Sequence, residues 1–326
     1  MEQEKLEKKV KEILYREGFE IENSVARKPG VELELGIYSS EKYSEGDVDH
    51  SKDKIFVDEG LEVEDGYTIE EEKDYDLPSF ELIGDIAIIN DLSGRDRNEA
   101  VEGILAHHDV KTILLKTEGL SGEFRVGSYE TLYGEETETV HKEHGYRFKV
   151  DPTKAYYSER FSTERERVAS QVEEREKVLV MFAGVGPFAI LCADKAEKVV
   201  AIEKNPEACK YLEENIELNN LEDKIEAFCG DVGEIVPELG GKLDRVIMPL
   251  PESAIKFLDV AVEALEEKGT VHLYSFVEDK DFSPMEEEVE NVVSKIGREY
   301  RIVERVRCGY KSPSEDRYCI DIEVYE

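Results

Sequence analysis

From Asp151 onward, short apolar runs alternate with segments of helical character, and this alternation restricts the possible folds more than any other feature of the chain. "KVLVMFA", "KVVAIE", "IEAFCGD", "LDRVIMP" and "GTVHLYSF" read as strands, with "PFAILCADKA", "NPEACKYLEENIELNN" and "SAIKFLDVAVEALEE" between them. Strands that are apolar along their whole length are covered on both faces, and the strand-helix-strand order implies parallel pairing. The last two segments, "EYRIVERVRCGY" and "DRYCIDIEVY", read as a closing antiparallel pair. A doubly covered parallel sheet offers a ligand edge at the carboxyl ends of its strands.

Two smaller α+β domains are expected before this α/β domain of residues 151–326. Residues 1–75 open with Leu6, Val10, Ile13, Leu14 and Phe19 at helical spacing and close on the acidic run "EVEDGYTIEEEKDYD". Residues 76–150 read as a β-rich middle domain: strand "PSFELIGDIAIIN", a helix in "SGRDRNEAVEGILAHH" starting near Asp96 or Asn98, strand "VKTILLK", then three short strands in "GEFRVGSYETLYGEE", "ETVHKEHG" and "YRFKVD". The first residues lack a continuous apolar leader, and no segment reaches the ~18 apolar residues of a membrane span, so a cytoplasmic monomer with no membrane contact is expected.

The chain has five cysteines, an odd number, and they are scattered without a CxxC pair. Neither a disulfide framework nor a zinc site is therefore expected; Cys308 and Cys319, flanking the turn-like "GYKSPSEDR", are the pair to watch. His107 and His108 diverge on a helix, and His141 and His144 lie in a segment without a cysteine or a clear carboxylate partner, so surface or core roles are expected for these and for His272, with no metal.

The stretch "VLVMFAGVGPFAILCADKAEKVVAIEKN" identifies the ligand edge. Gly184 and Gly186 let the backbone turn sharply after the first strand, Glu203 ends the next strand where a carboxylate accepts ribose hydroxyls, and Asp231 of "CGD" ends the third, in reach of an adenine amine. Phe182, Ala183 and Val232 complete these loops. A dinucleotide site needs a small residue where this chain has Pro187 and Phe188. That departure favours S-adenosyl-L-methionine, which carries no phosphate.

Charge points to solvent more than to a partner. Acidic residues number 78 against 42 basic ones, a net of −36 spread along the whole chain. Self-repulsion on this scale suits a salty interior, because ~1 M salt shortens the Debye length to about 3 Å. A halophilic, salt-adapted protein is expected, with any nucleic acid contacted through locally basic residues such as Arg125, Arg160, Arg165 and Arg167.

"FKVDPTKAYYSERFSTERERVA", "MFAGVGPFAI", "AIEKNP" and "DRVIMPLPESAIKFLD" resemble the archaeal and eukaryotic tRNA guanine-37 N1-methyltransferases, and "PSFELIGDIAII" and "TVHKEHGYRFKVD" resemble that family's middle domain. The resemblance implies a Rossmann-like class I methyltransferase fold, tRNA as partner and S-adenosylmethionine as methyl donor. It assigns Glu164 as the base at guanine N1, Arg165 as its steadying neighbour, Arg125 as an arginine facing the guanine, and Tyr156 and Arg160 as substrate contacts. Pro249, Leu250 and Pro251 occupy the loop that holds cofactor and base. Two positions depart from the family: Val180 replaces an aspartate, and Pro249 replaces the asparagine of Asn-Leu-Pro. The related wybutosine-pathway aminocarboxypropyltransferases share the architecture and are the alternative, with a non-catalytic RNA-binding relative as a third reading.

Overall fold

A computed structural model of the chain describes residues 75–326, apart from 122, 123, 125, 241 and 313, and five short strands before residue 75. The chain divides into two compact units, Met1–Tyr75 and Asp76–Glu326. The first contains an antiparallel sheet of β1 (Glu20–Glu22), β2 (Val25–Lys28) and β3 (Val31–Glu34), and a hairpin of β4 (Glu62–Val63) and β5 (Tyr67–Thr68). The helix expected between Leu6 and Phe19 lies outside the described residues.

The second unit begins with a four-stranded sheet of β6 (Phe80–Ile83), β7 (Ile86–Ile89), β8 (Thr112–Ser121) and β9 (Val126–Tyr133) in that order. β7 and β8 run parallel, with helix α1 (Arg97–His107) between them in sequence. Asp96 starts that helix by accepting the backbone N–H groups of Asn98 and Glu99 at 2.8 and 3.1 Å. A hairpin of β10 (Thr139–Glu143) and β11 (Tyr146–Val150) follows.

The large sheet comprises β12 (Lys177–Met181), β13 (Lys198–Glu203), β14 (Ile225–Cys229), β15 (Leu243–Met248), β16 (Leu265–Glu278), β17 (Glu299–Ser312) and β18 (Glu315–Tyr325). Its spatial order is β14-β13-β12-β15-β16-β18-β17; the first five strands are parallel, and β18 lies antiparallel between β16 and β17. The connecting helices are α2 (Ser162–Ser170), α3 (Pro187–Cys192), α4 (Pro206–Leu218), α5 (Val232–Ile235), α6 (Leu258–Ala264) and α7 (Ser283–Ile296). The chain leaves β12 toward β13 and later returns on its other side as β15, so the carboxyl end of β12 is the switch point where ligands bind in such sheets.

Alternation along β12 fills both faces. Val178 and Val180 belong to one apolar cluster, which includes residues of α2, α3 and α4, and Leu179 and Met181 to a second, which includes residues of α5, α6 and α7. The first cluster also takes in Ile83, Ile86, Ile88 and Leu114 of the smaller sheet and Phe148 and Val150 of β11, so the core is continuous through residues 150 and 151. Asn215 of α4 reinforces this joint: its side-chain oxygen accepts Lys149 N–H at 2.6 Å, and its amide donates to the Lys149 and Val185 carbonyls at 3.0 Å.

The cysteines correct the sequence expectation. Cys209, in the first turn of α4, and Cys229, ending β14, form a disulfide across a separation of 20 residues. Cys308 and Cys319 are free, as is Cys192, because Val306 stands opposite Cys319 and the two thiols fall out of register. No helix among the described residues is long and apolar enough to cross a membrane.

Candidate active site

After β12 the backbone passes through left-handed conformations at Phe182, Gly184 and Gly186, with φ of 55°, 58° and 94°. Glycine takes these angles without cost, whereas Phe182 holds a sparsely populated conformation, its ring packed edge-on against Phe257 with the centroids 5.4 Å apart. A Cβ on Gly186 would stand 2.6 Å from Leu212 Cδ1, and a side chain there would have to adopt a φ of 94°, a backbone conformation that favours glycine. The Glu203 carboxylate ties two loops together, accepting Gly184 N–H with one oxygen and Asn205 N–H with the other, both at 2.7 Å. Asp231 caps α5 through Gly233 N–H at 2.8 Å and accepts Lys204 Nζ at 3.0 Å. The lysine contact first, and the backbone N–H second, hold its carboxyl below the ordinary range. Gly184, Glu203, Asp231, Val232, Leu250 and Pro251 line a cavity of about 260 Å³. Two carboxylates at strand ends, apolar walls and a bare glycine backbone suit a nucleoside with a ribose.

A smaller cavity of about 80 Å³ lies beside it, lined by Glu164, Ala183 and Tyr274 among others. Tyr156, Phe182, Gly184, Pro249 and Arg317 line both cavities. Glu164, buried on α2, receives three hydrogen bonds: Arg167 Nη2 and the Tyr274 hydroxyl donate to Oε1 at 2.8 and 2.7 Å, and Arg167 Nε donates to Oε2 at 2.8 Å. Arg167 also donates through Nη1 to Asp321 at 2.7 Å. Asp321 in turn meets His272 Nδ1 at 2.7 Å, and His272 Nε2 meets Arg245 Nη1 at 2.7 Å. Arginine can only donate, so Nε2 accepts and the neutral ring donates its Nδ1–H to Asp321. Burial pulls the His272 pKa down in agreement with this tautomer, against the opposing pull of Asp321. Burial alone would raise the Asp321 carboxyl, but the His272 and Arg167 hydrogen bonds outweigh it and hold that group far below the carboxylate range. The ligand atoms of His272, Cys319 and Asp321 converge within 4.8 Å. The Cys319 thiol donates to Asp321 Oδ1 at 3.2 Å, Asp321 also accepts from Arg167, and His272 bridges Asp321 and Arg245.

Residues 139–303 match the TRM5/TYW2 methyltransferase domain, and residues 65–137 match the TYW2 N-terminal domain. The chain belongs to the TRM5/TYW2 methyltransferase family. It is 39% identical over 252 residues to the tRNA (guanine(37)-N(1))-methyltransferase Trm5b of Pyrococcus abyssi, covering 76% of this chain and 74% of that one. The crystal structure of P. abyssi Trm5b superposes with a TM-score of 0.69 at 37% identity, over 76% of this chain and 75% of the other. A Methanocaldococcus jannaschii Trm5 structure in complex with adenosine gives 0.65 at 35% identity, over 76% and 72%. The tRNA(Phe) (4-demethylwyosine(37)-C(7)) aminocarboxypropyltransferase of M. jannaschii is 40% identical over 203 residues, 62% of this chain and 79% of that one.

In this TRM5/TYW2 member several residues selected from the sequence meet at the cavities and others do not. Glu164 and Tyr156 line the smaller cavity; Phe182, Gly184, Glu203, Asp231, Val232, Pro249, Leu250 and Pro251 line the larger. Arg165 borders the smaller cavity, but its donors are committed to Glu143 and to the Ser158 carbonyl, and its guanidinium lies 5.2 Å from the Tyr157 ring centroid. It fastens α2 to β10. Arg160 pairs with Glu81 at 2.8 Å and lines neither cavity. Arg165 is buried in its ion pair with Glu143 and Arg167 is partly buried between Glu164 and Asp321, which corrects the expectation that they face RNA. Arg125 lies outside the described residues. Val180 is fully buried in the apolar core, and the Leu250 carbonyl already accepts Ser253 and Ala254 N–H groups, leaving the Pro249 and Pro251 carbonyls for a ligand. Tyr274, Asp321 and Arg317 escaped the sequence reading, which gave His272 only a surface or core role; their signal is the two-residue alternation in "HLYSF" and "DRYCID".

Proposed function

We propose that this protein transfers a methyl group from S-adenosylmethionine to N1 of guanosine 37 in the anticodon loop of tRNA. The observation that carries the reading is Glu164: a buried carboxylate fixed by Arg167 and Tyr274 on the wall of a cavity adjoining a nucleoside-shaped one. Oε1 accepts two hydrogen bonds and Oε2 one, which leaves Oε2 with the free lone pair to take the N1 proton. Glu203 and Asp231 hold the ribose and adenine, and the bare backbone at Gly184 lets the donor approach. When bound, S-adenosylmethionine supplies the methyl carbon, and the broken carbon–sulfur bond leaves its electron pair on sulfur. Tyr156 and the Pro249 carbonyl, which line the smaller cavity, contact the guanine.

Residues 1–75 form the tRNA-holding domain in this reading and 76–150 the middle domain, in a monomeric, salt-adapted, cytoplasmic enzyme; the acidic excess of 78 to 42 supports the salt adaptation. The match of residues 65–137 to the TYW2 N-terminal domain favours aminocarboxypropyl transfer as a second reading. Nucleoside mass spectrometry separates the two. Incubation with S-adenosylmethionine and an unmodified tRNA transcript is expected to yield 1-methylguanosine at position 37. No product there, together with an aminocarboxypropyl adduct on tRNA carrying 4-demethylwyosine, would reverse the assignment.

A further inference from the structure

Alternation along β18 places Arg317, Cys319 and Asp321 on one face, where Asp321 anchors the clamp on Glu164. Arg317 stands opposite Phe276 of β16 on one side and Gly309 of β17 on the other. A Cβ on Gly309 would lie 3.2 Å from the Phe161 ring, so the glycine makes room for that ring beside the strand. The Arg317 guanidinium lies 4.0 Å from the Phe161 centroid and 5.6 Å from that of Phe276.

Its neighbours are held differently. Arg160, Arg165, Arg167, Arg245 and Arg307 each pair with a carboxylate, whereas no ion pair among the described residues includes Arg317. In a chain of net charge −36, one guanidinium seated on aromatic faces keeps its charge and its planar fork of donors unspent. It also lines both cavities, on the wall it shares with Glu164 in the smaller one.

We propose that Arg317 contacts the target base and holds O6 of guanine during transfer. N1 and O6 are neighbours on one edge of the ring, and removing the N1 proton moves negative charge onto O6. A base at N1 therefore works best with a fixed cation at O6, and the aromatic seat fixes this one before the charge appears. This role rests on the reading of the smaller cavity as the guanine site with Glu164 as the base.

The test compares Arg317→Gln, Arg317→Lys and Glu164→Gln in the full chain, with an unmodified tRNA transcript and S-adenosylmethionine. Arg317→Gln should lower kcat about 100- to 1,000-fold. Its S-adenosylmethionine Kd by calorimetry should stay within about twofold of the parent, which also reports an intact fold. Its rate should climb with pH more steeply than the parent's, because N1 is a weaker acid without the cation. Arg317→Lys keeps the charge but loses the planar fork, so it should recover part of the rate. It stands in if the Gln variant does not fold. A kcat within about threefold of the parent in whichever variant folds overturns the proposal. So does a loss of cofactor affinity that accounts for the whole rate loss, since the guanidinium would then serve the donor's carboxylate. If Glu164→Gln keeps the parent rate while Arg317→Gln does not, the base assignment fails and only the contact of Arg317 with the target base survives, without its pairing to a base at N1.

Discussion

A carboxylate held by a guanidinium is fixed in direction, and Glu164 is held twice by Arg167 and once by Tyr274. Glu164→Gln keeps the shape but cannot take the N1 proton, so methyl transfer should fall about 100- to 10,000-fold with S-adenosylmethionine affinity retained. Turnover within threefold of the parent would show that Glu164 is not the base. Behind it, His272 and Asp321 give the protein an acid-sensitive step. Both have folded pKa values below their ordinary ones, through burial at His272 and through its His272 and Arg167 hydrogen bonds, against burial, at Asp321. The unfolded chain therefore binds more protons than the folded one below each ordinary value. Stability should be full above about pH 6.5, fall as the unfolded-state histidine protonates, and fall again below about pH 3.9 as the unfolded-state aspartate does. His272→Gln should flatten the decline in Tm between pH 7.5 and 5; equal slopes in parent and variant would remove His272 from the account.

Loops at the ends of β13 and β14 carry the donor site, and their two carboxylates do double duty as loop ties. Glu203→Ala and Asp231→Ala should each weaken S-adenosylmethionine binding by about 1.5–3 kcal/mol, the range for a hydrogen bond to a charged group. Unchanged affinity by calorimetry in both variants would remove the donor site from this edge. The disulfide from α4 to β14 closes a loop of about 20 residues, for which chain entropy gives roughly 3 kcal/mol. Urea unfolding of the oxidised protein and of Cys209→Ser should differ by about that amount, and superimposable curves would refute it. The strands were legible in advance because burial on both faces leaves continuous apolar runs, and Gly184 and Gly186 because positive φ calls for glycine. Phe182 carries no such mark. Nor does the meeting of His272 with Asp321, Tyr274 with Cys319 and Phe276 with Arg317. Each run shows its alternation, but which residues meet depends on β18 inserting out of chain order at one register, and no local period encodes that. Cys209, in the first turn of α4 after Glu203, meets Cys229 because β14 pairs with β13 at the register that sets Glu203 opposite Cys229, and the spacing of the two cysteines in sequence does not announce it.

For the whole molecule, a net charge of −36 must coexist with a polyanionic substrate. Nucleic-acid binding ordinarily weakens with salt by about 0.7–0.9 log units per phosphate contact for each tenfold rise. Here salt also screens the protein's self-repulsion and its repulsion of RNA, so stability and tRNA methylation should both climb from low salt toward molar KCl before declining. A monotonic loss of tRNA affinity and activity from about 50 mM upward, with the fold intact, would sink the salt-adaptation reading. The commitment of Arg165 and Arg167 to ion pairs leaves fewer basic side chains to steer RNA, which sharpens that test. The insertion of β18 between β16 and β17 adds a temporal dimension. During synthesis the ribosome releases the donor loops and Glu164 long before it releases Asp321 and Arg317. The clamp on Glu164 is therefore complete only once β18 has docked between β16 and β17, although the loops after β12, β13 and β14 precede it by about a hundred residues.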